Sequence, residues 1–551
     1  MTDWNYADTW ETVARTRPDA EALVQGPRRL TWAELDRRAD GIAAALLDAG
    51  LGHQAKVAQY LYNCPEYIES FFAAMKAGMV PVNTNYRYTA DELVYLWDNA
   101  DVEAVVFDRA FVGRVEEVRA RLPRVKLWLV VDGAAPETAV PEWARSYEAL
   151  ATGGGPRQVQ GPWGRSGDDL ILIYTGGTTG MPKGVMWRQD DLWAILNRTA
   201  TLRYPEDGTI DDVAGLLAAP PKRTPPRLLP GPPLMHGTGM FSAITALASG
   251  GALAMPPGHK FSPTEVLDTI ERERVTELVI VGDAFARPLL DALDADPGRW
   301  DLSSLWLVLS SGVMWSAEVR AGLLRHHPGL MLVDTLGSSE AIGMASSRSS
   351  TDGAPSTAGF RLSEQTRVVA PDGSDVRPGS GEMGLVALRG RGSIGYYKDE
   401  AKTAATYRII DGERWSIPGD WATIEADGTV RLLGRGSVCI NTGGEKVFPE
   451  EVEEALKRHP AVADAVVVGV PDPRFNEVVV AMVEWRPAAD GTPPPPGDEL
   501  VAWVRETLAD YKSPRHVVTV GSIGRAANGK VDYRGLRTAA MAELGVPASA
   551  G

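Results

Sequence analysis

Short apolar runs separated by stretches of helical spacing limit the fold more than any other feature of this chain. Val57 to Leu61, Val80-Pro81-Val82-Asn83, Ala104-Val105-Val106-Phe107 and Leu127-Trp128-Leu129-Val130-Val131 all read as buried strands. Helical patterns lie between them. Thr31-Trp32-Ala33-Glu34 has the form of a capping box, and Leu35, Ile42, Ala43 and Leu46 continue that helix. Tyr67 to Ala77 reads as a helix ending at Gly78. The rhythm resumes at Ala252 to Met255, Glu277 to Val281, Leu305 to Leu309 and Leu330 to Val333, with a helix capped by Ser262 among them. Such βαβ alternation predicts an α/β fold with mainly parallel, helix-covered sheets. No internal repeat of fixed period interrupts it.

At 551 residues the chain exceeds what one hydrophobic core usually supports, so at least two domains are expected. Residues 151–168 read as a linker, and the Pro-rich, charged stretch 203–233 as a long surface loop near the substrate entrance. After Gly434 the pattern changes to short strands and helices, the mark of a small α+β domain. The expected division is a large domain over 1–434 and a small domain over 438–551, with residues 435–437 between them.

Chemistry enters at Tyr174-Thr175-Gly176-Gly177-Thr178-Thr179-Gly180-Met181-Pro182-Lys183-Gly184, which follows the apolar run Leu170-Ile171-Leu172-Ile173. Glycines let backbone N–H groups approach an anion, threonines add O–H donors, and Lys183 supplies a charge. The loop suits phosphate. It is not a Walker A loop, because Pro182 precedes the lysine and Gly184 follows it.

With these residues in place the chain resembles the adenylate-forming enzymes: acyl-CoA synthetases, luciferases and the adenylation domains of peptide synthetases. Their phosphate loop differs from this one chiefly at Gly176, where they carry Ser. Asp334-Thr335-Leu336-Gly337-Ser338-Ser339-Glu340 is similar to the family's Tyr-Gly-x-Thr-Glu motif, with Leu336 for Tyr and Ser339 for Thr. The resemblance implies that Glu340 holds Mg²⁺, which takes a carboxylate plus phosphate oxygens, and that Ser339 touches phosphate. It also implies that Asp420, in Pro418-Gly419-Asp420, and Arg435, in Leu433-Gly434-Arg435, hold the ribose of ATP or AMP, with Gly312 bordering both nucleotide and acid. Gly443-Gly444-Glu445-Lys446 opens a run close to the acyl-CoA synthetase form of the CoA-tunnel motif. Gly524-Arg525-Ala526-Ala527-Asn528-Gly529-Lys530 matches the family's C-terminal lysine element, with Gly524 where Pro is usual. Lys530 is then the group that bridges the substrate carboxylate and the α-phosphate. Leu234-Met235-His236-Gly237-Thr238-Gly239 resembles the element beside the acyl pocket. Amino-acid-activating relatives carry Asp where this chain has His236, so an amino acid substrate is disfavoured. Gly237, Gly239 and Gly312 leave room for a bulky acid.

The balance of 56 basic against 72 acidic residues argues against nucleic acid or an anionic membrane as partner. Cys64 and Cys439 are far apart, which excludes a disulfide framework and fits a cytoplasmic protein. The start lacks the features of a signal peptide, and no apolar run reaches the roughly 20 residues a membrane helix needs. The seven histidines show no HxxxH spacing, against structural zinc.

The resemblance implies an acid–thiol ligase using Mg²⁺, ATP and coenzyme A. A carboxylic acid, of the long-chain, steroid or terpenoid kind, becomes an acyl-adenylate and then a CoA thioester. Because Leu336, Ser437 and Gly524 depart from the pattern on the ATP and hinge side, an enzyme specialised for thioesterifying a supplied acyl-adenylate stays open. So does an adenylation enzyme feeding a carrier protein. A homodimer is compatible with all three.

Overall fold

The computed structural model of the chain describes residues 3–132, 139–155, 157–175, 181–219, 224–313, 315–351, 359–435, 440–442, 445–472, 475–487, 493–506, 508, 510–526 and 529–546. The alternation read from the sequence builds two large sheets. In one, Glu21–Gln25, Ala252–Met255, Arg227–Pro230, Glu277–Ile280, Leu307–Ser311 and Met331–Leu336 run parallel and in that spatial order. The sheet then turns antiparallel through Ala345–Ser349 and Gly359–Leu362 to Val430–Arg435 and Asp420–Ile424. In the other sheet, Leu170–Thr175, Val80–Asn83, Lys56–Tyr60, Val102–Asp108 and Leu127–Val131 are parallel neighbours. Lys183–Arg188 folds back antiparallel on Leu170–Thr175.

The helices Trp32–Asp48, Pro65–Lys76 and Gly237–Ala248 share one apolar core with strands of both sheets, in which Leu23, Val57, Ile171, Leu228 and Val279 are buried together. The helices Pro263–Glu273, Asp283–Ala295 and Ala317–His326 cover the outer face of the first sheet. At the heart of the shared core Lys76 is fully buried. Its Nζ lies 2.7 Å from Glu11, 2.7 Å from Asp36 and 2.8 Å from Asp40. Three carboxylates this close would suit a cation, and the ammonium of Lys76 fills that place.

The small domain has its own sheet, in which Val462–Asp472 and Asn476–Trp485 pair antiparallel and His516–Thr519 adds parallel. Two apolar clusters drawn wholly from residues from Ile440 onward pack its faces.

One expectation is corrected. Residues 203–233 are not a long surface loop: a helix spans Ile210–Ala218 and a core strand spans Arg227–Pro230. Thr209 and Asp212 form a capping box, Val213 is fully buried, and Leu228 and Leu229 join the apolar cores. The Pro and charge content masked the Ile210, Val213, Leu217 spacing that marks a helix face.

Candidate active site

Side chains of a strand alternate between faces. The parallel register aligns Glu277 with Leu307 and Met331, Val279 with Leu309 and Val333, and Ser311 with Thr335. All these residues line one cavity of ≈ 1840 Å³, with Val281 continuing the first row. Opposite them, Thr238, Phe241, Ser242, Thr245 and Ser249 line the same cavity along one face of the Gly237–Ala248 helix and its C-cap. Helix and sheet therefore enclose an elongated channel. The rows of the sheet step about 13 Å from Leu307 to Ser311, and the helix rises about 16 Å from Thr238 to Ser249. The sheet wall is apolar at mid-length, at Val279, Leu309 and Val333, while the helix wall carries Ser242 and Thr245 there.

The end at Ser311 and Gly312 is where the parallel strands stop, the edge at which open α/β sheets bind ligands. Gly312 has φ +93°, and a Cβ there would meet nothing nearer than 3.9 Å, so the residue does leave space. Gly237 and His236 line the cavity beside it. Gly239 does not serve as expected. A Cβ on it would lie 2.6 Å from the Pro233 carbonyl, so its missing side chain makes room for backbone and not for substrate.

Lys530 reaches this end from the small domain and lines the same cavity. Its approach depends on Gly529, at φ +74°, where a Cβ would come within 3.2 Å of both Val281 and Ala284. Arg525 secures the loop. Its guanidinium is bidentate on Asp464, at 2.5 and 2.8 Å, and also donates to the Gly529 carbonyl at 3.1 Å. Gly524 has φ +67°, a backbone that Pro cannot adopt, so this chain enters the loop by a different path from a Pro-bearing relative. Sequence reading named Lys530 and overlooked Arg525, whose partner stands 61 residues away. His236 is pushed down to about 3 by burial and by the positive charges of Lys530 and Arg87. It is a neutral imidazole at any working pH.

Glu340 and Ser339 sit where the chain leaves the Met331–Leu336 strand, and both line the cavity. The Tyr396 hydroxyl donates to Glu340 Oε1 at 2.7 Å, the Ser393 hydroxyl to the Glu340 carbonyl at 2.8 Å, and the Trp187 indole to the Ser339 carbonyl at 2.8 Å. These anchors come from distant stretches and were not legible as a motif. Glu340, Ser339 and Thr175 present hard oxygens to one space, a donor set that fits Mg²⁺ beside phosphate. Lys183, at the start of the Lys183–Arg188 strand, pairs with Asp399. Leu336 lines the cavity yet packs with Ala341 and Met344 in an apolar cluster. Thr335 faces the channel. Asp334 is buried at the same strand end, where Arg320 and Asp283 are its charged neighbours, and burial raises it to about 7. Asp420 also borders the cavity and pairs through its backbone with Arg435. Glu445 and Lys446 lie in a strand of the small domain. Gly176 to Gly180, Ser437, Cys439, Gly443 and Gly444 lie outside the described residues. Cys64 is buried with a free thiol.

A sequence profile described as AMP-binding enzyme matches residues 10–397, and one for the AMP-binding enzyme C-terminal domain matches 451–530. The chain belongs to the AMP-binding enzyme family. This AMP-binding enzyme is 42% identical over 536 residues to the medium/long-chain-fatty-acid–CoA/3-oxocholest-4-en-26-oate–CoA ligase of Mycolicibacterium smegmatis, covering 96% of this chain and 95% of that protein. It is 41% identical over 539 residues to the 3-oxocholest-4-en-26-oate–CoA ligase of Rhodococcus rhodochrous, with 96% and 95% covered. Its fold matches that of an anthranilate CoA ligase solved with anthranoyl-AMP, at TM-score 0.82, 23% identity and 98% coverage of each chain. Among the described residues, no helix is long and apolar enough to cross a membrane.

Proposed function

We propose that this AMP-binding enzyme is an AMP-forming acyl-CoA ligase for medium- to long-chain or steroid carboxylic acids. The observation that carries the reading is the channel, which leads from Lys530 between helix and sheet for about 13–16 Å, the length of an extended medium-chain acid. The acids named for its M. smegmatis and R. rhodochrous relatives, fatty and steroid, extend the reading to larger substrates.

In the first step a carboxylate oxygen attacks the α-phosphorus of ATP and pyrophosphate leaves. Lys530 stands at the channel mouth, where charge passes from carboxylate to phosphate, and a preorganised cation there favours the transition state. Neutral His236 shapes the mouth without competing for the carboxylate as a cation. Lys183 supplies positive charge on the phosphate side, and Asp420 accepts from the ribose hydroxyls. Mg²⁺, held by Glu340 with Ser339 and Thr175 nearby, would neutralise phosphate charge. In the second step the CoA thiol forms the C–S bond as the bond from acyl carbon to AMP breaks.

The placing of Lys530 suits the first step. The second calls for the small domain to turn about residues 435–437, carrying Lys530 away and Gly443-Gly444 in. Separate apolar clusters for residues from Ile440 onward support this division at 1–434 and 438–551. The use of ATP and CoA favours a cytoplasmic location.

The test is pyrophosphate release from MgATP with fatty and steroid acids, with and without CoA. The reading expects release with long or polycyclic acids, and acyl-CoA when CoA is present. No release with any acid, while synthetic acyl-adenylate plus CoA still gives thioester, would replace it with the thioesterification enzyme.

A further inference from the structure

The channel floor carries a carboxyl group that the reaction does not use. Glu277 begins the Glu277–Ile280 strand, in the row of the sheet farthest from Lys530. It is 8% exposed and lines the cavity, and its row neighbours Leu228 and Leu307 are apolar. The Thr201 hydroxyl donates to its Oε1 at 2.8 Å. Among the described residues its Oε2 has no protein partner and no cation pairs with either oxygen. Burial raises its pKa and the Thr201 bond lowers it only in part.

A buried carboxyl group flanked in its row by two leucines is unfavourable unless something pairs with it. Tying the loop at Thr201 to the sheet needs one oxygen, and an amide would do it without charge. The second oxygen is left without a protein partner, on a residue that lines the space a long acid must fill.

We propose that Glu277, oriented by Thr201, reads a hydroxyl or keto oxygen at the far end of the acid, about 13 Å or more from its carboxylate. The proposal rests on the acid-activating reading and deepens it: the preferred substrate carries oxygen at both ends. A distal hydroxyl donates to Oε2. A distal keto oxygen accepts from the protonated carboxyl, the form that burial favours.

The experiment compares kcat/KM for acids of one length ending in hydroxyl, ketone or plain hydrocarbon, with a short acid that ends before Glu277 as internal control. It uses the wild-type enzyme, Glu277→Gln, Glu277→Leu and Thr201→Val. The wild type should favour an oxygenated acid by at least tenfold. Glu277→Leu should reverse the order, Glu277→Gln should keep a preference for the hydroxyl, and Thr201→Val should weaken the preference. The short acid should change less than twofold throughout. Preference for hydroxyl over ketone would assign an acceptor carboxylate, and the opposite order a donor carboxyl. No wild-type preference, or an equal loss for all acids in Glu277→Leu, would overturn the proposal while leaving the ligase reading intact. Should Glu277→Leu fail to fold, Thr201→Val decides it, because an unchanged ratio there is equally fatal. If the wild type activates no acid, the ligase reading falls first.

Discussion

His236 shows how a single residue's surroundings determine its role. Its pKa in the fold is about 3, against an ordinary value near 6.5, so the unfolded chain binds a proton that the folded chain refuses. Its contribution to stability is therefore full above pH 6.5 and lost as pH falls toward 3. At pH 5.5 the loss is about 1.4 kcal/mol. His236→Gln should remove that share, so the drop in urea midpoint from pH 7.5 to 5.5 is expected to be smaller in the variant. An identical drop would mean that His236 is not held neutral. Asp334, raised to about 7, acts with the opposite sign, since its neutral form is favoured in the fold at acid pH. The comparison is therefore between variant and wild type and not between pH values alone. Arg525 offers a second test at this scale. Arg525→Met should lower acid-dependent pyrophosphate release about tenfold or more by freeing the Lys530 loop, a loss of more than 1.4 kcal/mol in transition-state binding. Thioester formation from supplied acyl-adenylate should fall much less.

Among the elements, the three neighbouring strands and the helix facing them define both the channel and the core. Val333, at mid-length, lines the channel and is only partly buried. Val333→Phe should therefore narrow it, so that kcat/KM falls more than tenfold for steroid and long-chain acids and little for short ones, and a uniform fall would place the acid elsewhere. Lys76→Met leaves Asp36 and Asp40 without their cation, while Glu11 keeps Arg165, and should destabilise the fold by about 3–5 kcal/mol, read as a lower urea midpoint. The strands themselves were legible because buried parallel strands are short apolar runs, and the capping box at Thr31 and Glu34 was legible because its bonds are local. Residues 203–233 misled because helix and core strand there are separated by prolines that read as loop. The channel was not legible: its walls pair residues such as Glu277 and Leu307, which only the register brings side by side.

At the scale of the whole molecule, the site is assembled from both domains. Lys530, Glu340, His236 and Lys183 were nameable from sequence, because each lies in a compact motif of glycines and polar residues. Their supports were not. Asp464 for Arg525, Tyr396 and Ser393 for Glu340, and Asp399 for Lys183 are contacts across long sequence separations that leave no local pattern. Gly239 shows the reverse error, a glycine that suggests an open pocket but serves close backbone packing. The placing of Lys530 at the channel mouth links domain arrangement to chemistry, because in the proposed mechanism one lysine carried by the small domain governs one of two steps.

The two steps can be separated in Lys530→Ala by measuring acid-dependent pyrophosphate release beside thioester formation from synthetic acyl-adenylate and CoA. Pyrophosphate release should fall about 10²–10³-fold while thioester formation stays within a few-fold of wild type. Equal losses in both, or unchanged pyrophosphate release, would contradict a role for Lys530 in activating the acid.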